Sequence, residues 1–559
     1  MKIVGLYNWH DGGYAVLNDG VLEEHIEFER YTRLKESPGD SLKYLEDGYL
    51  KKKHLTLEDI DYFVSPCPVN NLVQSQNETY ETFAKIKKSE ISFYSHHLCH
   101  ASHSFYSSNF KESLIVTIDS AGMEDDGRAV STCAYYGNDK KIEKIFDIES
   151  NHFSIGNLWG RCTRFIFKMS TGFPRGHQAG SIMAMAALGD SSRFYEDFFK
   201  MATSDFQHVK HTPAGYVRGK YVKPEDDVTH HYLEKYRKLG EDPFNGQQNL
   251  FDMAAALQKV TEVTMTQFIS ETLDMIKLKK GIDVSNVCLA GGVSLNSVFT
   301  GKIVESLKGR VENVFVPAVP YDAGLSIGAC QYHWHHVLEK ERNYDKSFFV
   351  TPYLGEEYTE ADIRDAIKSN IKDISIKENV DIDECADLLV NNKIISLFQG
   401  RSESGRRALG NRSIIANPID ENMKSMINKK VKHRQWYRPF APTVLEEHGK
   451  EWFCNYFESP YMGFVFKIKK DKLGKAPAIE HFDGSARIQS VSKHQNENYY
   501  NLIKSFHSKT GIPIVLNTSF NDREPIVETP SHAISCFLGT DIDYLYFLEY
   551  QILISKSSK

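Results

Sequence analysis

No stretch of this 559-residue chain reaches the roughly 18 consecutive apolar residues a membrane-spanning helix needs. The opening MKIVGLYNW lacks the basic and then apolar pattern of a secretory leader. Its nine cysteines include no CxxC pair, which leaves out a cysteine-based zinc site and suits reduced thiols better than a disulfide framework. Net positive charge is also missing. With 67 Lys+Arg against 74 Asp+Glu the chain carries −7, which excludes a broad nucleic-acid surface but permits a local basic pocket for a small anion. Neither repeats nor biased segments interrupt it, so solenoids and long disordered tails are not expected. These absences together predict a soluble cytoplasmic protein with no membrane or nucleic-acid partner.

What is present is ordinary globular composition, 41% hydrophobic and 25% charged, over a length that one core seldom organises. Short β-branched runs at 2–6, 114–118, 287–289 and 314–316 end in Gly, Asp or Pro clusters, and 253–277 repeats apolar residues at helical spacing. The alternation predicts an α/β fold whose strand ends bind ligands. Residues 339–353 are polar and end in Pro352 and Tyr353, placing a boundary near 350 and predicting domains at 1–350 and 351–559. Beyond it, helical patterns at 363–371 and 385–392 alternate with strand-like runs at 394–398, 513–516 and 543–548, while Lys-rich 467–475 reads as a solvated turn.

Four local patterns carry chemistry. In His96-His97-Leu98-Cys99-His100, a helix would put His96 and His100 on one face, where both imidazoles can meet one metal ion. Asp119 and Asp322 each follow a strand-like run and can complete the shell, although an HxxxH pair alone is equally an ordinary exposed helix face. A mixed His and carboxylate set suits iron, manganese or zinc. His10 lies in the bend GLYNWHDGG, as a general base or as a turn histidine with local hydrogen bonds. Gly291, Gly292 and Asn296 follow a strand and open a helix, an arrangement that aims N–H groups at phosphate or ribose, or simply makes a tight turn. The last pattern is GRSESGRRALGNRS at 400–413 with KHRQWYRPFAP at 432–442, and Arg487 and Asn517–Asn521 further on. Guanidinium groups amid apolar residues need anionic partners, and phosphate is the natural one.

Taken together, HHLCHA at 96–101, FERYTRLK at 28–35, RALGNRSI at 407–414, YRPFAP at 437–442 and LNTSFN at 516–521 resemble the O-carbamoyltransferases of the NodU/CmcH family, along nearly the whole chain. The resemblance implies an N-terminal actin/hexokinase-like duplicated domain similar to tRNA threonylcarbamoyl transferases and a C-terminal YrdC-like domain. It implies that the C-terminal domain makes carbamoyl adenylate from ATP and carbamoyl phosphate. The N-terminal domain would then pass the carbamoyl group to a hydroxyl of a small molecule such as a natural product, toxin or sugar. Carried over by motif, His96, His100, Asp119 and Asp322 would hold Fe2+ or another divalent metal, with Mg2+ accompanying ATP. His10 and Lys35 would form the transfer pair, and Gly291, Gly292 and Asn296 would contact the adenylate. Arg407, Lys432, Arg438, Arg487, Asn517 and Ser519 would hold ATP and carbamoyl phosphate. A homodimer is compatible with the family.

The chain departs from the family pattern twice. Where the family usually has Glu-Phe-Gly-Pro-Arg it has Glu403-Ser404-Gly405-Arg406-Arg407, and where Gly-Lys-x-Met is usual it has Gly180-Ser181-Ile182-Met183. Three rival readings are a tRNA threonylcarbamoyl-transferring enzyme, a sugar-kinase-like enzyme, and a nucleotide- or metal-binding regulator of the same fold. A surface between about 189 and 249, with Tyr216, Tyr221, His230, His231 and Tyr232, reads as acceptor pocket or plain insertion.

Overall fold

A computed structural model describes residues 1–66, 86, 91–150, 152–171, 176–203, 215–217, 220–222, 228–345 and 349–557, with backbone alone at 170–171, 176–177, 203, 215–217, 220–222 and 228–232. The side chains of Tyr216, Tyr221, His230, His231 and Tyr232 lie outside the described set. The chain forms two units: Met1–Val21 with Gly39–Phe348, and Leu22–Pro38 with Phe349–Lys559. A split by sequence position alone misses the excursion at Leu22–Pro38, which carries the FERYTRLK motif and Lys35 into the second unit.

The first unit contains the same strand pattern twice. Strands β1 (Lys2–Tyr7) and β2 (Gly13–Asn18) pair antiparallel. The excursion begins within β3 (Val21–Glu27), and on the other side of β1 lie β4 (Tyr62–Ser65) and β5 (Ile91–Phe93), both parallel to it. In the second sheet β6 (Glu112–Met123), β7 (Ala129–Asn138) and β8 (Lys141–Glu149) form an antiparallel meander. Strands β9 (Asn286–Ala290) and β10 (Asn313–Phe315) then add parallel on the free side of β6. An antiparallel pair extended by two parallel strands thus occurs in both, and the unit is a duplicated α/β fold. Parallel addition puts the carboxyl ends of β6 and β9 side by side, where ligands bind in such sheets. Helices α1 (His96–Ser107), α2 (Gly246–Lys280), α3 (Ser297–Ser306) and α4 (Leu325–Tyr332) pack around the sheets, α1 directly against α4. None of the described helices is long and apolar enough to cross a membrane.

The second unit is built on a nine-stranded mixed sheet ordered 374–377, 552–556, 544–547, 395–398, 412–416, 514–519, 441–445, 485–491, 464–467. Helices Ile382–Val390 and α5 (Glu497–Thr510) contribute to one core with it. Local sequence dictates α5: the Asn496 side chain accepts the Tyr499 N–H at the start, and Gly511 at φ +73° stops it. Between those caps Tyr499, Leu502, Ile503 and Phe506 recur at helical spacing and are wholly buried against Ile395, Leu397, Ile415 and Val515. Each such side chain contributes about 1.5–3 kcal/mol relative to exposure.

Candidate metal and anion sites

The histidine motif sits on a helix that is buried nearly all round. Of the residues of α1, only Leu98 is not classed as buried, which rules out an ordinary exposed histidine face. His97 points the other way and is structural. Its Nδ1 lies 2.8 Å from the Thr117 hydroxyl and its Nε2 2.8 Å from the Val130 carbonyl, so Nε2 donates and the ring is neutral. Burial, with His96 beside it, pushes the His97 pKa down to about 3.

His96 and His100 turn to the opposite side and meet two carboxylates. His100 Nε2 is 3.4 Å from Asp119 and 3.3 Å from Asp322, and His96 Nε2 is 4.0 and 3.8 Å from the same pair. One donor atom from each of the four lies within 4.8 Å of all the others. Asp119 reaches this point because pairing of β6 with β7 shifts register between Ile118 and Gly122, releasing it from the ladder within the strand. Gly122 leaves room for the imidazole, since a Cβ there would fall 2.2 Å from His96 Cδ2. Asp322 stands one turn before α4, where the Tyr7 hydroxyl donates to its Oδ2 at 3.2 Å.

Gly291, Gly292 and Asn296 form the tight turn that was one of the two sequence readings. Gly291, at φ +88°, packs where a Cβ would lie 2.2 Å from the Ile118 carbonyl oxygen. That close approach aims the Gly292 N–H at Asp119 Oδ2, 2.9 Å away, while the Ser120 N–H holds Oδ1 at 2.7 Å. Asn296 caps α3 through the Phe299 N–H at 3.2 Å and exchanges amide hydrogen bonds with Gln258 at 2.8 and 3.2 Å. All three therefore have structural work, and the glycines orient Asp119.

The donor set fits a divalent cation. His96 Nε2 and His100 Nε2 are buried without hydrogen-bond partners, which is costly unless they coordinate. Two imidazoles and two carboxylates at such spacing suit a first-row transition metal. His10 adjoins the set, its Nδ1 3.2 Å from Asp11 and its Nε2 3.5 Å from Asp322. Burial works against its charged form. The Asp11 hydrogen bond and the charges of Asp322, Asp11 and Asp119 outweigh that and lift it to about 9.

In the second unit the predicted anion residues divide into two groups. Lys432, Asn517 and Ser519 bond mainly to protein. The buried Lys432 ammonium donates to the Ser519 and Asn521 carbonyls at 2.5 and 2.7 Å, and to their side-chain oxygens at 3.2 and 2.6 Å. The Asn517 amide donates to the Ala408 carbonyl at 3.1 Å, tying down the residue next to Arg407.

The other group is a cluster of cations. Arg407, Arg438 and Arg434 all act on Arg487, whose Nε is buried with no partner. Burial first, then those three positive neighbours, hold Arg487 far below the ordinary arginine value. Sequence reasoning missed Arg434, although it lies within the quoted 432–442 run. Its Nε donates to Asn428 Oδ1 at 2.7 Å and its guanidinium lies 4.4 Å from the Phe440 ring centre.

The sequence reading put Lys35 in the same domain as His10, whereas it falls in the second unit, because the chain crosses over at Leu22–Pro38. Burial lowers its pKa, with Glu29, Arg438 and Arg406 its strongest electrostatic neighbours. Arg406, the departure from the family pattern, lies 3.4 Å from Glu36 of the same excursion. Ser181, the other departure, is buried with its hydroxyl 3.4 Å from Gln178 Oε1.

Sequence reading also missed the residues that shape the arginine loop. The fully buried Arg412 donates to the Gln399 carbonyl at 2.6 Å and stacks on Phe398 at 3.6 Å, a structural role. Glu403 Oε1 accepts the N–H groups of Leu409, Asn411 and Arg412 at 2.8, 2.7 and 3.1 Å. Arg30 Nη2 donates to the Glu403 and Gly405 carbonyls at 2.8 and 2.7 Å, and Glu27 Oε1 accepts the Gly405 N–H at 2.6 Å. The only advance signal was an acidic residue inside an arginine-rich run.

Comparison with known proteins gives the family. Residues 69–331 match the family model described as carbamoyltransferase N-terminus, and 386–554 match carbamoyltransferase C-terminus. Nodulation protein NolNO of Sinorhizobium fredii is 30% identical over 97% of this chain and 79% of its own length. Nodulation protein NolO of Bradyrhizobium diazoefficiens is 33% identical over 80% and 77%. Among solved structures, full-length HypF in its phosphate- and nucleotide-bound form covers 61% of this chain and 47% of its own, at 14% identity and a TM-score of 0.35, too slight a likeness to carry weight. By the two family models and these relatives, the chain belongs to the carbamoyltransferase family and is an enzyme of that class.

Proposed function

We propose that this enzyme is an ATP-dependent O-carbamoyltransferase that forms carbamoyl adenylate in its second unit and transfers the carbamoyl group to a small-molecule hydroxyl in its first. The observation that carries the reading is the cluster of Arg407, Arg434, Arg438 and Arg487, with no carboxylate among the main influences on Arg487. Four guanidinium groups repel one another and persist when an anion of several charges joins them. ATP and carbamoyl phosphate together supply such charge. Water cleaves the P–O bond of carbamoyl phosphate, releasing phosphate and leaving carbamate; the carbamate oxygen then bonds to the ATP α-phosphorus, and pyrophosphate leaves.

In the transfer step the acceptor oxygen bonds to the carbamoyl carbon, the bond to AMP breaks, and the hydroxyl proton needs a base. His10 suits that task. Its Nδ1–H faces Asp11, which orients the ring and leaves Nε2 to take the proton. Asp322 and Asp119 help hold His10 near 9, and once they bind a cation that attraction weakens and the ring comes closer to a working base. His96, His100, Asp119 and Asp322 would hold iron or another divalent metal, which when bound supplies Lewis-acid stabilisation to a phosphate or carbonyl oxygen. The acceptor is proposed to be a natural product, toxin or sugar.

The test is to incubate the protein with ATP and carbamoyl phosphate and measure pyrophosphate. Release that requires both supports the reading, and a kinase-like transfer of the ATP γ-phosphate with no pyrophosphate would overturn it.

A further inference from the structure

Trp436 is an exposed aromatic side chain on a firmly held backbone. It sits at the tip of a turn closed by the Arg438 N–H donating to the Gln435 carbonyl at 3.2 Å. The buried Asn428 amide pins both sides of that turn, donating to the Trp436 and Arg438 carbonyls at 3.4 and 3.0 Å. Yet the indole is 55% exposed. Phe482 and Tyr437 meet it nearly at right angles, with centroids 5.5 and 5.8 Å away, so neither lies parallel to it. The Phe482 ring is itself engaged by the Lys424 ammonium at 4.4 Å. A large apolar ring on a pinned backbone and open to water is the kind of anchor that binds flat ligands.

Its surroundings specify the ligand further. Arg434 and Arg438 lie two residues to either side, a chain distance of at most about 7 Å each. Both belong to the guanidinium cluster that contains Arg487 Nε, buried and without a partner. The electrostatic influence of Arg434 also reaches Lys424, which meets the Phe482 ring. Anion-binding groups and an aromatic platform thus share one neighbourhood, which suits a ligand with a flat base at one end and phosphates at the other.

We propose that Trp436, braced by Phe482, is the platform on which the purine of ATP stacks while Arg434, Arg438 and Arg487 hold its phosphates. This rests on the reading of the second unit as the ATP site. Aromatic stacking takes any purine face, so the platform favours nucleotides over bare polyphosphates without selecting adenine over guanine.

The experiment measures binding of ATP, GTP and inorganic tripolyphosphate to the full-length wild type, Trp436→Ala and Trp436→Phe. In wild type, ATP and GTP should quench tryptophan fluorescence and tripolyphosphate should not. Trp436→Ala should lose that quenching and bind both nucleotides about tenfold or more weakly. Its tripolyphosphate affinity should stay at the wild-type value, which also shows that the variant is folded. Trp436→Phe should retain most of the nucleotide affinity. Equal ATP affinity in wild type and Trp436→Ala overturns the platform alone. Absence of ATP binding in wild type overturns the ATP-site reading and the platform with it.

Discussion

Replacing Glu403 by alanine should cost the second unit much of its stability, and the structure says how much. The side chain is 2% exposed, and its Oε1 is the acceptor for three backbone N–H groups, those of Leu409, Asn411 and Arg412. Those residues are themselves buried, so no bulk water replaces the lost carboxylate. An unpaired buried donor costs about 1–3 kcal/mol. Three of them, with some relaxation of the loop, give a loss of about 3–6 kcal/mol, against a typical domain stability of about 5–15 kcal/mol. Glu403→Gln keeps one acceptor oxygen and loses the charge, and hydrogen bonds to charged groups are about twice as strong as neutral ones, so its effect should be smaller. Hydrogen exchange over residues 404–413 resolves the two variants. Each 1.4 kcal/mol lost speeds exchange about tenfold, and Glu403→Ala should exceed Glu403→Gln. Nucleotide binding should weaken alongside, because Arg407 is on the same loop. Wild-type exchange rates over 404–413 in Glu403→Ala would refute this reasoning.

Three more outcomes are expected. Asp322→Asn removes an anionic ligand shared by His96 and His100 and should lower metal content at least about tenfold by elemental analysis, with pyrophosphate release unchanged; normal metal content would remove Asp322 from the ligand set. Burial lowers the His100 pKa, but the nearby carboxylates of Asp119 and Asp322 raise it to about 9 without metal, above the ordinary 6.5. Its stabilising contribution is then full below 6.5 and lost as pH rises through 9, so the unfolding temperature of metal-free protein should fall across that window by more in wild type than in His100→Gln, which keeps the His10 titration. Lys35→Met should impair pyrophosphate release itself, since Lys35 sits among Glu29, Arg438 and Arg406 of the second unit; normal release with defective transfer would return it to a transfer role.

The parts of this protein legible in its sequence were those encoded by short-range periodicity. The i, i+4 spacing puts His96 and His100 on one helix face, and a run of apolar residues ending in aspartate places Asp119 just past the buried part of β6. The structure brings both together with Asp322. What was not legible depends on partners far along the chain. Whether an arginine binds ligand or holds the fold is decided by what surrounds it: Arg412 is enclosed by carbonyls and the Phe398 ring, while Arg487, seventy-five residues later, has an unpartnered Nε. The unit to which Lys35 belongs was not legible for a topological reason, since nothing local announces that residues 22–38 cross to the second unit. Asn296 opens a helix beyond a strand, but its long-range partner could not be read from that position. Gln258, on α2, takes up its amide.

The central claim is that activation and transfer are separate chemistries in separate units, and supplying the intermediate tests it most directly. Carbamoyl adenylate and an acceptor hydroxyl would be given to wild type, His10→Ala and Arg407→Ala, and the carbamoylated product measured by mass. Arg407→Ala should fail with ATP and carbamoyl phosphate yet form product from supplied adenylate at close to the wild-type rate. His10→Ala should still release pyrophosphate but form product about a hundred- to ten-thousandfold more slowly from either source, the usual contribution of a general base. Normal transfer by His10→Ala, or failure of supplied adenylate to restore Arg407→Ala under conditions where wild type uses it, would contradict the account.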